Sequence, residues 1–175
     1  GEPKDVLNAD AVLFPGVGAA ADAMQSLKVS GLDKAIREVI RKHRPFFAVC
    51  IGMQILMSST DEGGRHECLG VISGAVRRLP AGLKVPHMGW NQVRQKAQHT
   101  IFEGIPDKAN FYFVHSYYAE PKDASVVVGT TEYGLNLCSV IVKDNLVATQ
   151  FHPEKSGTMG LMMYDNFLRN AGVKE

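Results

Sequence analysis

Three side chains with complementary chemistry stand out in this sequence of 175 residues. Cys50 follows the apolar run Phe46 to Val49 and precedes a second apolar run. His152 and Glu154 stand two residues apart, directly after another apolar run. A cysteine nucleophile needs a general base, and the imidazole of that base needs an acid that orients it. We therefore predict that Cys50 is a nucleophile served by His152 and Glu154.

The turn around Cys50 has the composition of a nucleophile elbow. In such a strand-to-helix turn the nucleophile adopts a strained backbone conformation, and the residues two before and two after it must be small. Here these residues are Ala48 and Gly52. The turn also brings the N–H of Ile51 and the N-terminus of the next helix beside the sulfur. We expect this arrangement to lower the thiol pKa and to supply one oxyanion donor.

A second oxyanion donor is predicted in the glycine-rich segment Pro15 to Gly18, which follows the apolar run 11–14. Its glycines would let a backbone N–H turn toward the site without a side chain in the way. Each of these features has a plainer interpretation when it is taken alone. The segment could be an ordinary glycine turn, Cys50 a core residue, and His152 and Glu154 structural residues. Their occurrence together favours catalysis.

Charge and cysteine content narrow the class of protein. The 19 Lys and Arg residues nearly balance the 18 Asp and Glu residues, so a nucleic-acid partner is disfavoured. Three unevenly spaced cysteines, Cys50, Cys68 and Cys138, indicate a reducing compartment rather than a disulfide framework, and we expect a cytoplasmic protein.

No membrane segment, secretion signal or metal site is predicted. The longest apolar run, Pro45 to Met57, holds thirteen residues, which is too short to cross a bilayer. The N-terminal residues lack a basic segment followed by a long apolar one. His43, His66 and His99 lack the spacing of metal ligands, and no cofactor is expected.

Apolar periodicity and turn residues predict the elements that would position these groups. A helix capped by Ser30 is expected to run to Arg44, a second helix to begin at Gly52, and a third to cover residues 159–170. The predicted strands are 11–14, 46–49, 76–79, 111–114, 126–130, 137–142 and 146–150, the last two joined as a hairpin. This order predicts an α/β sandwich with a mixed sheet, in one domain over residues 1–175.

Three segments resemble, in the same order along the chain, the class I (triad) glutamine amidotransferases. They are residues 15–18, 48–54 and 152–154. Within that family, residues 62–64, 86–91, 113–117 and 150–156 resemble the glutaminase subunits of imidazole glycerol phosphate synthases. The resemblance implies a three-layer, flavodoxin-like sandwich around a central mixed, mostly parallel sheet.

The resemblance also implies a reaction and a set of roles. Cys50 would attack the side-chain amide of L-glutamine to form a thioester, while His152 would protonate the departing ammonia and then activate water. Glu154 would orient His152. The implied oxyanion residues are Val17, Gly18 and Ile51, and the implied substrate-binding residues are Gly16, Gln54, His115, Ser116 and Tyr117.

In the imidazole glycerol phosphate synthases the ammonia passes to a (β/α)₈-barrel cyclase subunit in histidine biosynthesis, and the resemblance implies such a partner for this chain. Pro86, Met88 and Trp90 match the face that meets this barrel. An exposed cluster of proline, methionine and tryptophan is typical of an interface, although Trp90 could instead be a core residue.

Family members begin with a strand and a helix, about thirty residues in all, that have no counterpart here, so the resemblance implies that the N-terminal βα unit is missing. We therefore expect the natural polypeptide to be longer. Three other functions stay open: an amidotransferase of another synthase, a γ-glutamyl thiol hydrolase using the same three groups, and a non-catalytic interaction protein.

Overall fold

Five helices and two β-sheets make up residues 2–172, the part of the chain that the computed structural model describes. The helices are α1 Pro3–Asn8, α2 Ala20–Ser30, α3 Leu32–Arg41, α4 Ile51–Ile55 and α5 Gly157–Asn170. Short 3-10 turns lie at Thr100–Phe102, Ala124–Val126 and Pro153–Lys155. Over this part of the chain, every helix is too short or too polar to span a bilayer.

The strands divide between a sheet of seven and a sheet of four. In chain order they are β1 Val12–Phe14, β2 Phe46–Val49, β3 Ser59–Thr60, β4 His66–Glu67, β5 Gly74–Arg78, β6 His87–Gln95, β7 Ala109–His115, β8 Tyr117–Pro121, β9 Val127–Glu132, β10 Asn136–Lys143 and β11 Leu146–Thr149. The larger sheet has the order β1-β2-β11-β10-β9-β6-β7, and the smaller one β4-β3-β5-β8. The predicted α/β class and mixed sheet are confirmed, whereas the smaller sheet was not predicted.

The larger sheet is less parallel than expected. Strand β2 pairs in parallel with β1 and β11, but the other four neighbouring pairs are antiparallel, so the expectation of a mostly parallel sheet is wrong. The physical reason is the short connections along β9, β10 and β11, since parallel neighbours need a long crossover and hairpins give antiparallel ones. The predicted hairpin between β10 and β11 is confirmed, with Lys143 opposite Leu146.

Strand β2 is buried on both faces. All four of its residues are at most 1% exposed. Phe47 meets the rings of Tyr164 and Phe167 in α5 edge-on, with centroids 5.1 and 5.2 Å away. On the opposite face Phe46 lies against Phe14 of β1, with centroids 6.0 Å apart. Because successive residues of a strand point to opposite sides, this packing fixes the end of β2, where Cys50 follows.

One predicted helix has different bounds. Ser30 was expected to begin a helix, but it is the last residue of α2, which the sequence did not predict. Its hydroxyl donates to the carbonyls of Ser26 and Leu27 inside that helix. Gly31 follows with φ of 73°, a left-handed conformation that ends α2 and lets α3 begin at Leu32.

Helix α5 approaches the segment after His152 so closely that only glycine fits at the contact. A Cβ atom on Gly160 would lie 1.9 Å from the carbonyl oxygen of Pro153. The backbone of the helix therefore packs directly against the 3-10 turn that contains Glu154.

We predict that Gly160→Ala lowers the free energy of unfolding by about 1–3 kcal/mol, because the added methyl group forces helix and turn apart. Urea denaturation measures the change. Thr158→Ala is the matched control, since Thr158 is exposed on the same helix and its truncation should change stability by less than about 0.5 kcal/mol. Equal midpoints for Gly160→Ala and the wild type would contradict the tight contact.

Candidate active site

Cys50 occupies a strained turn between β2 and α4. Its φ of 53° and ψ of −108° are unusual for a residue other than glycine, as the elbow prediction requires. A Cβ atom on Gly52 would lie 2.6 Å from the carbonyl oxygen of Phe14 and 3.4 Å from the Cβ atom of Ala48. The small residues at these positions therefore let the turn close against β1.

The glycine-rich segment lies directly against this elbow. A Cβ atom on Gly16 would stand 2.8 Å from the backbone nitrogen of Gly52, so the two backbones touch. Gly18 has φ of 100°, and Val17 between them is 82% exposed. The carboxylate of Glu62 fixes the chain just after this segment, because it accepts a hydrogen bond of 2.7 Å from the N–H of Ala20 at the start of α2.

His152 is fixed by its side chain and by its backbone. Its Nδ1 lies 2.7 Å from Glu154 Oε1, and because a carboxylate only accepts, the proton of the neutral ring sits on Nδ1 and leaves Nε2 with a free lone pair. Its N–H donates to the carbonyl of Tyr112, and its own carbonyl accepts from the hydroxyl of Ser156. Tyr164 donates to the other oxygen of Glu154 over 3.4 Å.

A cavity of about 350 Å³ brings most of the predicted site residues together. Its lining includes both Cys50 and His152, whereas Glu154 lies behind the imidazole. Eleven of the predicted residues line the cavity: Gly16, Val17, Gly18, Cys50, Ile51, Gln54, Pro86, His115, Ser116, Tyr117 and His152. Three further lining residues belong to segments that resemble the family but were given no role in the site: Glu62, Val114 and Lys155. Ser116 stands between β7 and β8, where the chain passes from one sheet to the other.

The thiol of Cys50 is protonated at neutral pH. Burial raises its pKa to about 11, which outweighs the opposing effect of the Ile51 N–H, and the charge of Glu154 raises it further. We expected the turn to lower this pKa, and that expectation is wrong for the net effect. Cys50 is only 5% exposed, so a thiolate at this position would be poorly solvated by water. The thiol faces the carbonyl of Val114, 3.9 Å from the sulfur. It therefore needs a base to become a nucleophile.

Two buried glutamines lie beside the sulfur, and the sequence pointed to one of them. Gln150, 0% exposed, donates from Nε2 to the sulfur of Cys50 over 3.7 Å and accepts from Gln54 over 3.2 Å. The Nε2 of Gln54 also donates to the carbonyl of Tyr117 over 2.8 Å, while its Oε1 is buried without a partner. Gln150 could have been suspected from its place two residues before His152, but residue type alone gives no signal.

Two of the three residues predicted to face a partner lie exposed on strand β6, whereas Pro86 precedes that strand, is half-buried and lines the cavity. Met88 is 61% exposed and Trp90 59%, so the alternative of a core tryptophan is excluded. His87 and Asn91 point to the opposite side of the strand, as alternation requires. No strand was predicted there, because Gly89 and the polar residues of this segment interrupt the alternation of apolar and polar side chains that marks a strand.

Residues 2–172 contain no group of three or more His, Cys, Asp or Glu side chains arranged to hold a metal ion. The cavity brings together a thiol, an oriented imidazole, backbone amides and buried polar side chains.

Comparison with known proteins agrees with this arrangement. The family described as "Glutamine amidotransferase class-I" matches residues 3–171. The protein named imidazole glycerol phosphate synthase subunit HisH of Dehalococcoides mccartyi strain CBDB1 is 54% identical over 170 residues, which cover 97% of this chain and 83% of that protein. The proteins of the same name from Herpetosiphon aurantiacus and Moorella thermoacetica are 51% and 50% identical, over 97% and 98% of this chain and 80% and 83% of their own lengths.

Solved structures share the fold at lower identity. A crystal structure described as a glutamine amidotransferase matches with a TM-score of 0.75 and 20% identity, over 98% of this chain and 84% of its own. The glutaminase domain of Trypanosoma brucei CTPS matches with a TM-score of 0.71 and 19% identity, over 99% of this chain and 75% of its own. With the family match over nearly the whole sequence, these findings show that the chain belongs to the class-I glutamine amidotransferase family.

Proposed function

We propose that this chain is the glutaminase subunit of an imidazole glycerol phosphate synthase and forms one amidotransferase domain over residues 1–175. It hydrolyses L-glutamine to glutamate and ammonia. The observation that carries the proposal is one cavity that holds a protonated thiol, Cys50, and an imidazole whose orientation Glu154 fixes, in a chain about half identical to proteins with that subunit's name. We place this activity in the cytoplasm.

The reaction begins when His152 Nε2 removes the thiol proton of Cys50 as the sulfur attacks the amide carbon of glutamine. The resulting oxyanion is held by the N–H of Ile51 and by the amides of Val17 and Gly18. The carbon–nitrogen bond then breaks, and the leaving nitrogen takes the proton from His152 and departs as ammonia. The product left on the enzyme is a γ-glutamyl thioester.

Water completes the cycle. His152, again neutral, removes a proton from a water molecule as its oxygen attacks the thioester carbon. The carbon–sulfur bond breaks, glutamate leaves, and the sulfur recovers its proton. Glu154 keeps the imidazole in the useful tautomer throughout and stabilises the imidazolium form between steps.

The substrate's amino-acid end is recognised by buried polar groups. The unpartnered Oε1 of Gln54 supports a role in accepting a hydrogen bond from the α-ammonium, and the carboxylate of Glu62 supplies a negative charge at the same cavity. We assign the α-carboxylate to the backbone of Gly16, Ser116 and Tyr117. Both ring nitrogens of His115 are engaged by protein groups, so His115 contributes to this site through its backbone.

Ammonia passes to a (β/α)₈-barrel cyclase subunit that covers Pro86, Met88 and Trp90. Two large apolar side chains exposed close together on one strand support an interface there, because clusters of such groups are typical of interaction surfaces.

The experiment that tests the function is glutamate production by the full-length subunit, with and without the barrel subunit and its nucleotide substrate. We predict strong stimulation of the wild type by the complete complex, and a loss of at least about 10³-fold in Cys50→Ala, because neither Cys68 nor Cys138 lines the cavity and could form the thioester in its place. A wild-type rate that does not depend on the barrel would contradict the subunit assignment. Equal rates in Cys50→Ala would contradict the enzyme assignment.

Alkylation of Cys50 tests the base-assisted mechanism. Because the raised pKa of about 11 leaves only a small thiolate fraction at neutral pH, the rate of reaction with iodoacetamide in the subunit alone should rise about tenfold for each pH unit from about pH 7 to about pH 9. Peptide mass spectrometry separates Cys50 from Cys68 and Cys138. A rate that levels off below about pH 8 would mean a thiolate already formed without substrate.

The proposed interface predicts that Trp90→Ala weakens binding of the barrel subunit by about tenfold or more, since large aromatic side chains dominate such contacts. Titration calorimetry measures the affinity. Leu161→Ala is the matched control, because Leu161 is equally exposed, at 64%, but lies on α5. If both variants bind like the wild type, the barrel does not cover this face.

A further inference from the structure

A chain of hydrogen bonds begins at strand β6 and leads inward through two buried histidines. Asn91 Nδ2 lies 3.2 Å from His87 Nε2, and His87 Nδ1 lies 2.9 Å from His115 Nε2. The other nitrogen of His115, Nδ1, lies 2.8 Å from the carbonyl oxygen of Tyr117. These contacts join β6 to the wall of the glutamine cavity.

The chain continues from that carbonyl to the nucleophile. The oxygen of Tyr117 also accepts from Gln54 over 2.8 Å. The same amide group of Gln54 donates to Gln150 Oε1, and Gln150 Nε2 donates to the sulfur of Cys50 over 3.7 Å. An unbroken series of polar contacts thus joins the outer strand to the reacting atom.

Only one set of proton positions satisfies every member of the chain. The carbonyl of Tyr117 can only accept, so His115 carries its proton on Nδ1. Burial lowers the pKa of both histidines to about 4, so each ring holds a single proton near neutral pH. His115 Nε2 must then accept from His87 Nδ1, and His87 Nε2 must accept from Asn91. Turning any ring over would place two donors or two acceptors face to face.

Packing prevents His87 from turning freely. Its ring stacks between Phe113 and Tyr133, with centroids 4.8 and 3.9 Å away, and the residue is 4% exposed. On the other face of the same strand Met88 and Trp90 are exposed. One strand therefore carries an outer surface on one side and the start of the hydrogen-bond chain on the other.

We propose that His87 and His115 are positioning residues, through which the placement of strand β6 sets the two glutamine amides beside Cys50. Neither histidine touches the substrate with its ring. The inference rests on the proposed function for the identity of the partner that covers β6, but not for the contacts themselves. Changes within such a network alter coupling by roughly two- to thirtyfold.

The first test replaces His87 by Phe, which keeps an aromatic ring between its neighbours and removes both hydrogen bonds. Tyr133→Phe is the matched control, because it keeps the same stack and removes only the bond from its hydroxyl to the carbonyl of Lys84. Two quantities are measured: kcat and KM for glutamine in the complete complex, and the rate of Cys50 alkylation by iodoacetamide at about pH 8 in the full-length subunit alone.

We expect His87→Phe to lower kcat about tenfold with a smaller change in KM. We also expect it to slow the alkylation of Cys50 several-fold, because Gln150 no longer aligns a donor with the thiolate. The control should stay within about twofold of the wild type in both measurements. A purely structural role for His87 would reduce the folded fraction without changing the reactivity of the thiol in folded protein, which thermal unfolding and alkylation together distinguish.

Asn91→Asp provides a second test at the outer end of the hydrogen-bond chain, at a half-buried residue whose Nδ2 also donates to the carbonyl of Glu132. The carboxylate cannot donate a hydrogen bond to His87 Nε2, so the first donor of the hydrogen-bond chain is lost. Gln92→Glu introduces the same charge at the next, exposed position and serves as control. We expect Asn91→Asp, at saturating partner, to lower kcat several-fold and to slow alkylation, and Gln92→Glu to do neither.

The proposal is overturned if His87→Phe and Asn91→Asp both match their controls in kcat and in alkylation. If His87→Phe does not fold, Asn91→Asp decides alone. If no barrel subunit stimulates the wild type, the proposed function fails. The alkylation rates of the subunit alone still decide whether the hydrogen-bond chain positions the glutamine amides beside Cys50.

Discussion

The hydrogen bond between His152 Nδ1 and Glu154 is the interaction on which the site depends. Burial raises the pKa of the Cys50 thiol, so the sulfur is inert until a base takes its proton. The bond of 2.7 Å fixes the proton of the neutral imidazole on Nδ1 and leaves Nε2 free to accept a proton, as the proposed mechanism requires. This arrangement limits the reactivity of the thiol. While protonated and buried it reacts slowly with oxidants from solvent, and in the proposed mechanism it becomes a nucleophile only where the oriented imidazole can reach it.

Close backbone contacts place these groups. Gly52 lets the elbow approach β1, Gly16 lets the glycine-rich segment Pro15 to Gly18 touch the elbow, and Gly160 lets α5 pack against the turn that carries Glu154. At each contact a single methyl group would collide with backbone atoms, which cannot move aside as a flexible side chain can. The geometry of the site therefore follows from three positions without side chains, distributed over three separate parts of the chain.

Local sequence signals predicted the parts of the molecule whose form is set locally. The buried strand β2, the elbow at Cys50, the hairpin before His152 and the last helix all follow from apolar runs and turn residues. The direction of most strand pairs did not, because it depends on how distant segments meet. The hydrogen bonds from Gln150 to the sulfur of Cys50 and from His87 to His115 join residues that are far apart in the sequence, and no local pattern predicts such contacts.

The most direct test of the central claim is to identify the covalent intermediate during turnover. The complete complex would be mixed with glutamine, quenched in acid within the first turnovers and digested for mass spectrometry. We predict a γ-glutamyl group on the sulfur of Cys50 in the wild type and its absence in His152→Asn, where no base can activate the thiol. A glutamyl group on another residue, or glutamate release without any adduct at Cys50 and undiminished in His152→Asn, would contradict the account.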